Sequence, residues 1–267
     1  MKNLLLLLLF LLIHYQGVAQ QTKKLQWSYS VGLGTAVAPT YLGDDTYQLL
    51  IFPNFSASHG DKFSVSLLDG ARYNLMKTDT WRIGAVIKPN IGRFEDGSVP
   101  SSVSNIKTND LVGLGDVGFT TEPGFFLEYT KKSLANKLEV RQGIGGHTGW
   151  IGELRSEYKN AFKLNKSNIY YSVGPEIRIS SSNFNNAFFG IDQEQSLNTD
   201  LEAYEAKPGL LSYGLSGTVI VPLNKRFAYI AFVRYNKLGD VASDSPLIRQ
   251  EGSAHQRTMA FMLNYTF

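Results

Sequence analysis

From Trp27 to its last residue the chain runs in stretches of 10–14 residues whose apolar and polar side chains alternate. "LQWSYSVGLGTAV" (25–37) puts Trp27, Tyr29, Val31 and Leu33 on one face. "RFAYIAFVRY" (226–235) puts Phe227, Tyr229, Ala231, Val233 and Tyr235 outward, with Arg226 and Arg234 on the other side. "NIYYSVGPEIRIS" (168–180) separates Glu176 and Arg178 from Ile177 and Ile179. Period two is the signature of a strand, since successive side chains point to opposite faces. A soluble sandwich alternates too, but its strands run to about 5–6 residues. A tilted strand that crosses a bilayer needs about 9–11, and these stretches meet that length. Lipid leaves no partner for an open sheet edge, so spanning strands must close into a barrel.

The connections alternate as well. Short ones are "SHGD" (58–61), "KTDT" (77–80), "TKKSLANK" (130–137), "LNKS" (164–167) and "PLNK" (222–225). Long ones are "APTYLGDDT" (38–46), residues 94–117, residues 182–206 and residues 238–254, with a tight turn at His147–Gly149. Outer-membrane barrels join strands by short periplasmic turns and longer outer loops. With Trp27 placed on the periplasmic side, the alternation holds if residues 62–77 contain two short strands hinged at Asp69-Gly70, a favoured hairpin pair. The expected architecture is an all-β, antiparallel, up-and-down transmembrane barrel of about twelve strands, ten being the next count. The final strand, "FMLNYTF", alternates Phe261, Leu263, Tyr265 and Phe267 to the last position, as a strand that closes a barrel must.

The first residues are set apart. Lys2, the apolar run Leu4–Ile13, and small residues at Gly17 and Ala19 have the pattern of a secretory signal peptide. Its apolar core is shorter than the roughly 20 residues of a membrane helix. Residues 1–19 are therefore expected to be a cleaved leader and residues 20–267 the barrel domain. The chain has no cysteine, a formal net charge of +3, 12% aromatic residues and 25 glycines. Such a composition offers no disulfide framework and no basic stripe for nucleic acid, and it suits a barrel with aromatic girdles.

Several stretches in a fixed order resemble the MipA/OmpV family of outer-membrane proteins, named for an MltA-interacting protein. They are "GLGTAVAPTYLGDD" (32–45), "DLVGLGDVGFTTEPGFFLEY" (110–129), "GIGGHTG" (143–149), "NNAFFGID" (185–192), "LGDVASDSPLI" (238–248) and the "NYTF" ending. Ala187 and Thr148 stand where the family pattern often has Tyr and a basic residue. The resemblance implies an integral barrel of the bacterial outer membrane without catalytic residues. It also implies a scaffold between a lytic transglycosylase and a penicillin-binding protein; other members imply a small-solute channel or an osmotic-response role. The aromatic-ended last strand resembles the signal read by the barrel-assembly machinery, with Phe267 at its end.

The remaining motifs weigh little. "GLGDVG" (113–118) matches a dinucleotide fingerprint but leads from a loop into a strand, without the helix that would meet a phosphate. "SNIK" (104–107) lacks the partner motifs of penicillin-recognising enzymes. Three histidines remain after cleavage. His59 in a turn and His255 at the outer start of the last strand are expected to lie far apart, which argues against a histidine metal site. No catalytic, cofactor-binding or metal residue is assigned, and no cofactor is expected. Candidate outer-mouth residues are Asp44, Asp45, His147, Asp240 and Asp244, because the loops of the first and last strands should adjoin when the barrel closes. Candidate periplasmic partner contacts are Lys131, Lys132 and Lys137, a basic cluster read as one turn. Inward charges are expected at Arg72, Glu139, Arg141, Arg155, Glu157, Glu176, Arg178 and Arg234. The barrel is expected to be a monomer facing outer-membrane lipid.

Overall fold

The computed structural model describes residues 26–267 except 99–101, 104, 105, 107 and 166. The expected leader, 1–19, and the S-x-x-K stretch at Ser104 and Lys107 lie outside the described residues. The period-two stretches form β1 (Trp27–Pro39), β2 (Tyr47–His59), β3 (Phe63–Ser66), β4 (Gly70–Lys77), β5 (Trp81–Asn90), β6 (Thr120–Lys131) and β7 (Leu134–Gln142). They continue as β8 (Ile144–Gly145), β9 (Trp150–Leu164), β10 (Ser167–Ser180), β11 (Gly209–Pro222), β12 (Phe227–Leu238) and β13 (His255–Thr266). Every pairing is antiparallel. Twelve strands close a barrel: β1 pairs with both β2 and β13, β5 pairs with β6, and β7 pairs with β9. β8 is a two-residue spur on the end of β6. The Phe267 N–H donates to the Tyr29 carbonyl (3.0 Å), so the seam is bonded to the last residue.

Outward faces are apolar and exposed, as at Leu33, Phe55, Phe125, Leu215, Val233 and Phe261. At the short-turn end they finish in aromatic rings: Trp27 stacks on Tyr29 (5.9 Å), Trp81 meets Tyr129 (4.6 Å), and Phe227 meets Tyr265 (4.9 Å). Such a girdle suits a headgroup boundary.

The stretch 62–77 is two strands, β3 and β4, as parity demands. Their turn ends on Gly70 with φ +72°; a Cβ there would stand 2.0 Å from the Ile87 carbonyl oxygen, so only glycine fits. This hairpin is short, and β3 covers β2 only from Ser56 to His59. Two prolines mark the uncovered wall above it. In β2 the backbone of odd-numbered residues faces the β3 side: Phe55 O accepts from Leu67 N–H (3.2 Å) and Leu49 O from Val103 N–H (3.1 Å). Pro53 shares that phase. In β5, Trp81 O accepts from Thr78 N–H on the β4 side (2.8 Å), and Pro89 shares that phase just past the end of β4. Both residues without an N–H thus face the place where the ladder stops, which is where strand prolines are tolerated.

At the other end the long connections fold together. Residues of the β10–β11 connection form α1 (Ser182–Phe189) and α2 (Gln193–Asn198); those of β12–β13 form α3 (Asp240–Ser243) and α4 (Pro246–Glu251). α2 opens with a capping box between Asp192 and Gln195, and α4 with Pro246 in its first turn. Tyr41, Leu111, Leu114, Val117, Phe184, Phe188, Phe189, Ile191, Leu201, Ala242, Leu247 and Ile248 form one buried cluster with Ile151, Leu211 and Leu238 of the strands.

Candidate functional site

This cluster crosses the barrel mouth. The α1 carbonyls of Phe188 and Phe189 accept hydrogen bonds from Arg93 Nη1 (2.9 Å) and Ser245 Oγ (2.7 Å). Arg93 lies between β5 and β6, Ser245 between β12 and β13. Those two junctions are six strands apart in a circuit of twelve, on opposite sides of the wall. Tyr41 Oη donates to Asp110 Oδ2 (3.3 Å), tying the β1–β2 connection to the β5–β6 one. Gln195 Nε2 donates to the Leu114 carbonyl (2.6 Å), and Tyr204 Oη to that of Val241 (3.3 Å). The loops therefore make a cap with its own apolar core, and that core spans the mouth from wall to wall. Burial pulls the Arg93 guanidinium down to about 10, so it remains charged at neutral pH; it pushes the Tyr41 hydroxyl well up, so that group stays a neutral donor.

Beneath the cap the lumen carries ion pairs. Glu122 Oε1 meets His147 Nε2 (3.1 Å) and accepts from Asn90 Nδ2 (2.9 Å), while its Oε2 accepts from Arg141 Nε (2.8 Å). Glu139 is fully buried among Lys88 (2.7 Å), Lys137 (2.5 Å) and Arg141. Glu128 joins Arg72 (2.7 Å) and Arg82 (3.0 Å). Glu176 joins Arg155 (3.3 Å) and Arg234 (3.0 Å), and Arg155 also meets Glu153 (3.0 Å). Glu157 pairs with Lys159 (3.2 Å). Arg178 Nε donates to Ser212 Oγ (2.9 Å) and has no carboxylate at ion-pair distance among the described residues.

The expected site residues fall into three groups. The β1–β2 and β12–β13 connections do adjoin: Asp44 bridges to Gly252, Ser253 N–H donates to Gly43 O (2.7 Å), and Gln256 bonds both Gly43 N–H and Asp44 O (3.1 Å each). Their carboxylates do not gather. Asp44 is buried, held by Thr40 Oγ1 and by Thr46 N–H (2.8 Å), whereas Asp45, Asp240 and Asp244 are exposed. Among the described residues no group of three or more His, Asp or Glu side chains could hold a metal. His147 is under the cap, edge-on to Phe184 (5.0 Å) and Phe188 (5.8 Å), with a strand glutamate as its partner rather than a loop aspartate. His59 packs on Trp27 and His255 on Tyr235, at opposite ends.

The basic cluster 130–137 divides. The turn is only Lys132 and Ser133, with Lys132 at φ +54°. Lys131 and Lys132 are exposed at the short-turn end. Lys137 is not in the turn: it lies on the inward face of β7 in phase with Glu139, its ion-pair partner. Arg82, Lys88, Glu122, Glu128, Glu153 and Lys159 also face the lumen. Glu153 and Lys159 lie in phase with Arg155 and Glu157 on β9, so alternation there could have found them; β5 and β6 carried no expected inward charge. In "GLGDVG", Gly113 and Gly115 take φ of +87° and +70° and let Leu114 enter the cap core.

A family model described as MltA-interacting protein MipA matches residues 31–267. The chain belongs to this MipA family. YiaT of Escherichia coli (strain K12), named as an outer membrane protein, is 26% identical over 110 residues, 41% of this chain and 43% of its own length. The chain thus matches less than half the length of this relative. Among solved structures it is similar to the NanC porin (7% identity, 89% of this chain and 98% of that one, TM-score 0.43). It is also similar to an outer membrane channel from Pseudomonas putida F1 (10% identity, 94% and 100% covered, TM-score 0.41). This MipA-family protein is an integral barrel of the outer membrane. Its short-turn end, with both strand termini, is the periplasmic end, and the cap faces outward.

Proposed function

We propose that this barrel is a closed outer-membrane anchor that holds murein-remodelling enzymes at the periplasmic face. The observation that carries the reading is the cap: an apolar core bonded to opposite walls spans the outer mouth, which suits a platform better than a conduit. The family description, an MltA-interacting protein, supports a partner of the lytic transglycosylase class; a penicillin-binding protein is proposed as the second enzyme on the family resemblance alone. Lys131, the last residue of β6, and Lys132 in the β6–β7 turn, both exposed, are the contacts proposed for them. The β13 strand, paired to Phe267, is the segment proposed to be taken up by the barrel-assembly machinery.

The test is capture of a purified lytic transglycosylase by the detergent-solubilised barrel. Wild type retains it, and Lys131→Glu with Lys132→Glu releases most of it. Equal retention by both removes the turn from the reading, and no retention by wild type removes the scaffold. A small-solute channel is the second reading, favoured by the charged lumen; it requires conductance through the intact cap.

A further inference from the structure

The apolar cap core spans the outer end of the lumen, and exposed charges lie at the other. Towards the periplasm Lys159 keeps 54% of its side-chain surface and Arg234, deeper in, keeps 31%. A cavity of about 490 Å³ opens there, lined by Glu157, Lys159, Tyr170, Ser172, Thr218 and Ile220. The charges above it do not balance. Apart from the Glu157–Lys159 pair, the strands turn five glutamates inward: Glu122, Glu128, Glu139, Glu153 and Glu176. Eight cationic side chains accompany them, and the surplus includes Arg178, opposite Glu153 in register, whose hydrogen-bond partner among the described residues is the Ser212 hydroxyl. Among the described residues the buried Nε atoms of Arg82 and Arg155 have no hydrogen-bond acceptor, while Arg234 Nε meets Glu176 Oε1 (3.0 Å). Like charges inside low-dielectric walls raise the local field and draw counter-charge. The most exposed of the paired lumen cations among the described residues, Lys159, lies towards the periplasm.

We infer that the lumen is a blind, periplasm-facing receptor for a carboxylate-bearing ligand, with Arg178 at its floor and the Tyr170–Ile220 vestibule as its entrance. The inference is independent of the turn lysines and of any enzyme partner. The carboxylates can come from an acidic peptide segment or from a free small acid. Isothermal titration of the folded full barrel in zwitterionic detergent separates the two. The probes are a capped hexaglutamate peptide, monomeric glutamate, and a capped hexalysine peptide.

Hexaglutamate is expected to bind and hexalysine not, with affinity falling as salt rises. Arg178→Gln is expected to weaken binding about tenfold, the size of one charged hydrogen bond. Ser172→Asp, which leaves every ion pair in place, is expected to weaken it as well, so the test survives if the arginine variant does not fold. Binding of glutamate as tight as that of the peptide assigns the site to a small acid, and preference for the peptide assigns it to a chain. Failure of both acidic probes, equal binding of hexalysine, or unchanged affinity in the folded variants overturns the inference.

Discussion

Glu139 shows how single residues hold this interior. Its carboxylate is fully buried and meets Lys88, Lys137 and Arg141. Glu139→Gln keeps the shape and removes the charge, leaving three cations facing one another. Breaking a buried ion pair by removing one partner costs about 3–5 kcal/mol. That loss is expected in the urea unfolding free energy of the barrel in lipid vesicles, and an unchanged midpoint would show the cluster to be solvated. Asp44 behaves differently because it sits in the cap. Burial raises its carboxyl above the ordinary 3.8, outweighing the hydrogen bonds from Thr40 and Thr46 that lower it. A raised acid favours the folded cap while protonated, so the stabilisation is complete below 3.8 and fades as pH climbs through the raised value. Asp44→Asn removes that dependence. The ratio of proteolytic cleavage rates in the loops, wild type over Asp44→Asn, is expected to rise with pH, whereas a flat ratio would place the carboxylate in water. Asp44 was legible as an acidic loop residue; its burial was not, because nothing local in "TYLGDDT" announces the Gln256 side chain from the far end of the chain.

At the scale of elements, the strands could be read and the cap could not. Period two specifies which face each strand residue occupies, so Glu176 and Arg178 inward and Phe261, Leu263 and Phe267 outward follow from the letters. The two-strand reading of 62–77 followed from parity, and Gly70 supplies its physical reason. Lys137 was misplaced because a run of lysines and an asparagine reads as a turn; its phase with Glu139 and Arg141 was the better signal. The cap escaped because its apolar residues are scattered over four connections, and no one of them carries a complete apolar face. Traces existed in the capping box at Asp192, in Pro246, and in the four-residue spacing of Phe184 and Phe188. If α1 and α2 are the bolt across the mouth, their removal should open it. Replacing residues 182–206 with a short Gly/Ser turn is expected to give conducting channels in planar bilayers where the intact barrel is silent. Conductance through the intact barrel would refute the closed mouth, and a silent deletion would place the block deeper among the ion pairs.

For the whole molecule, the barrel and the cap depend on each other in sequence order. The cap draws on connections from the first hairpin to the last, so its core needs residues from both ends of the barrel sequence. The lumen is likewise uneven: its charges lie on β4–β7, β9, β10 and β12, while β13, β1 and β2 turn mainly Ser, Asn, Gly, Ala and Met inward. One side of the cylinder is an ionic wall and the other a neutral one, an asymmetry written into the alternating letters of each strand. The cap has a further consequence for anything that meets the bacterium from outside. Because its surface is assembled from segments distant in the chain, an antibody raised against any one loop as a free peptide would have learned a shape the cell never displays, and recognition should be carried by sera raised against the intact fold.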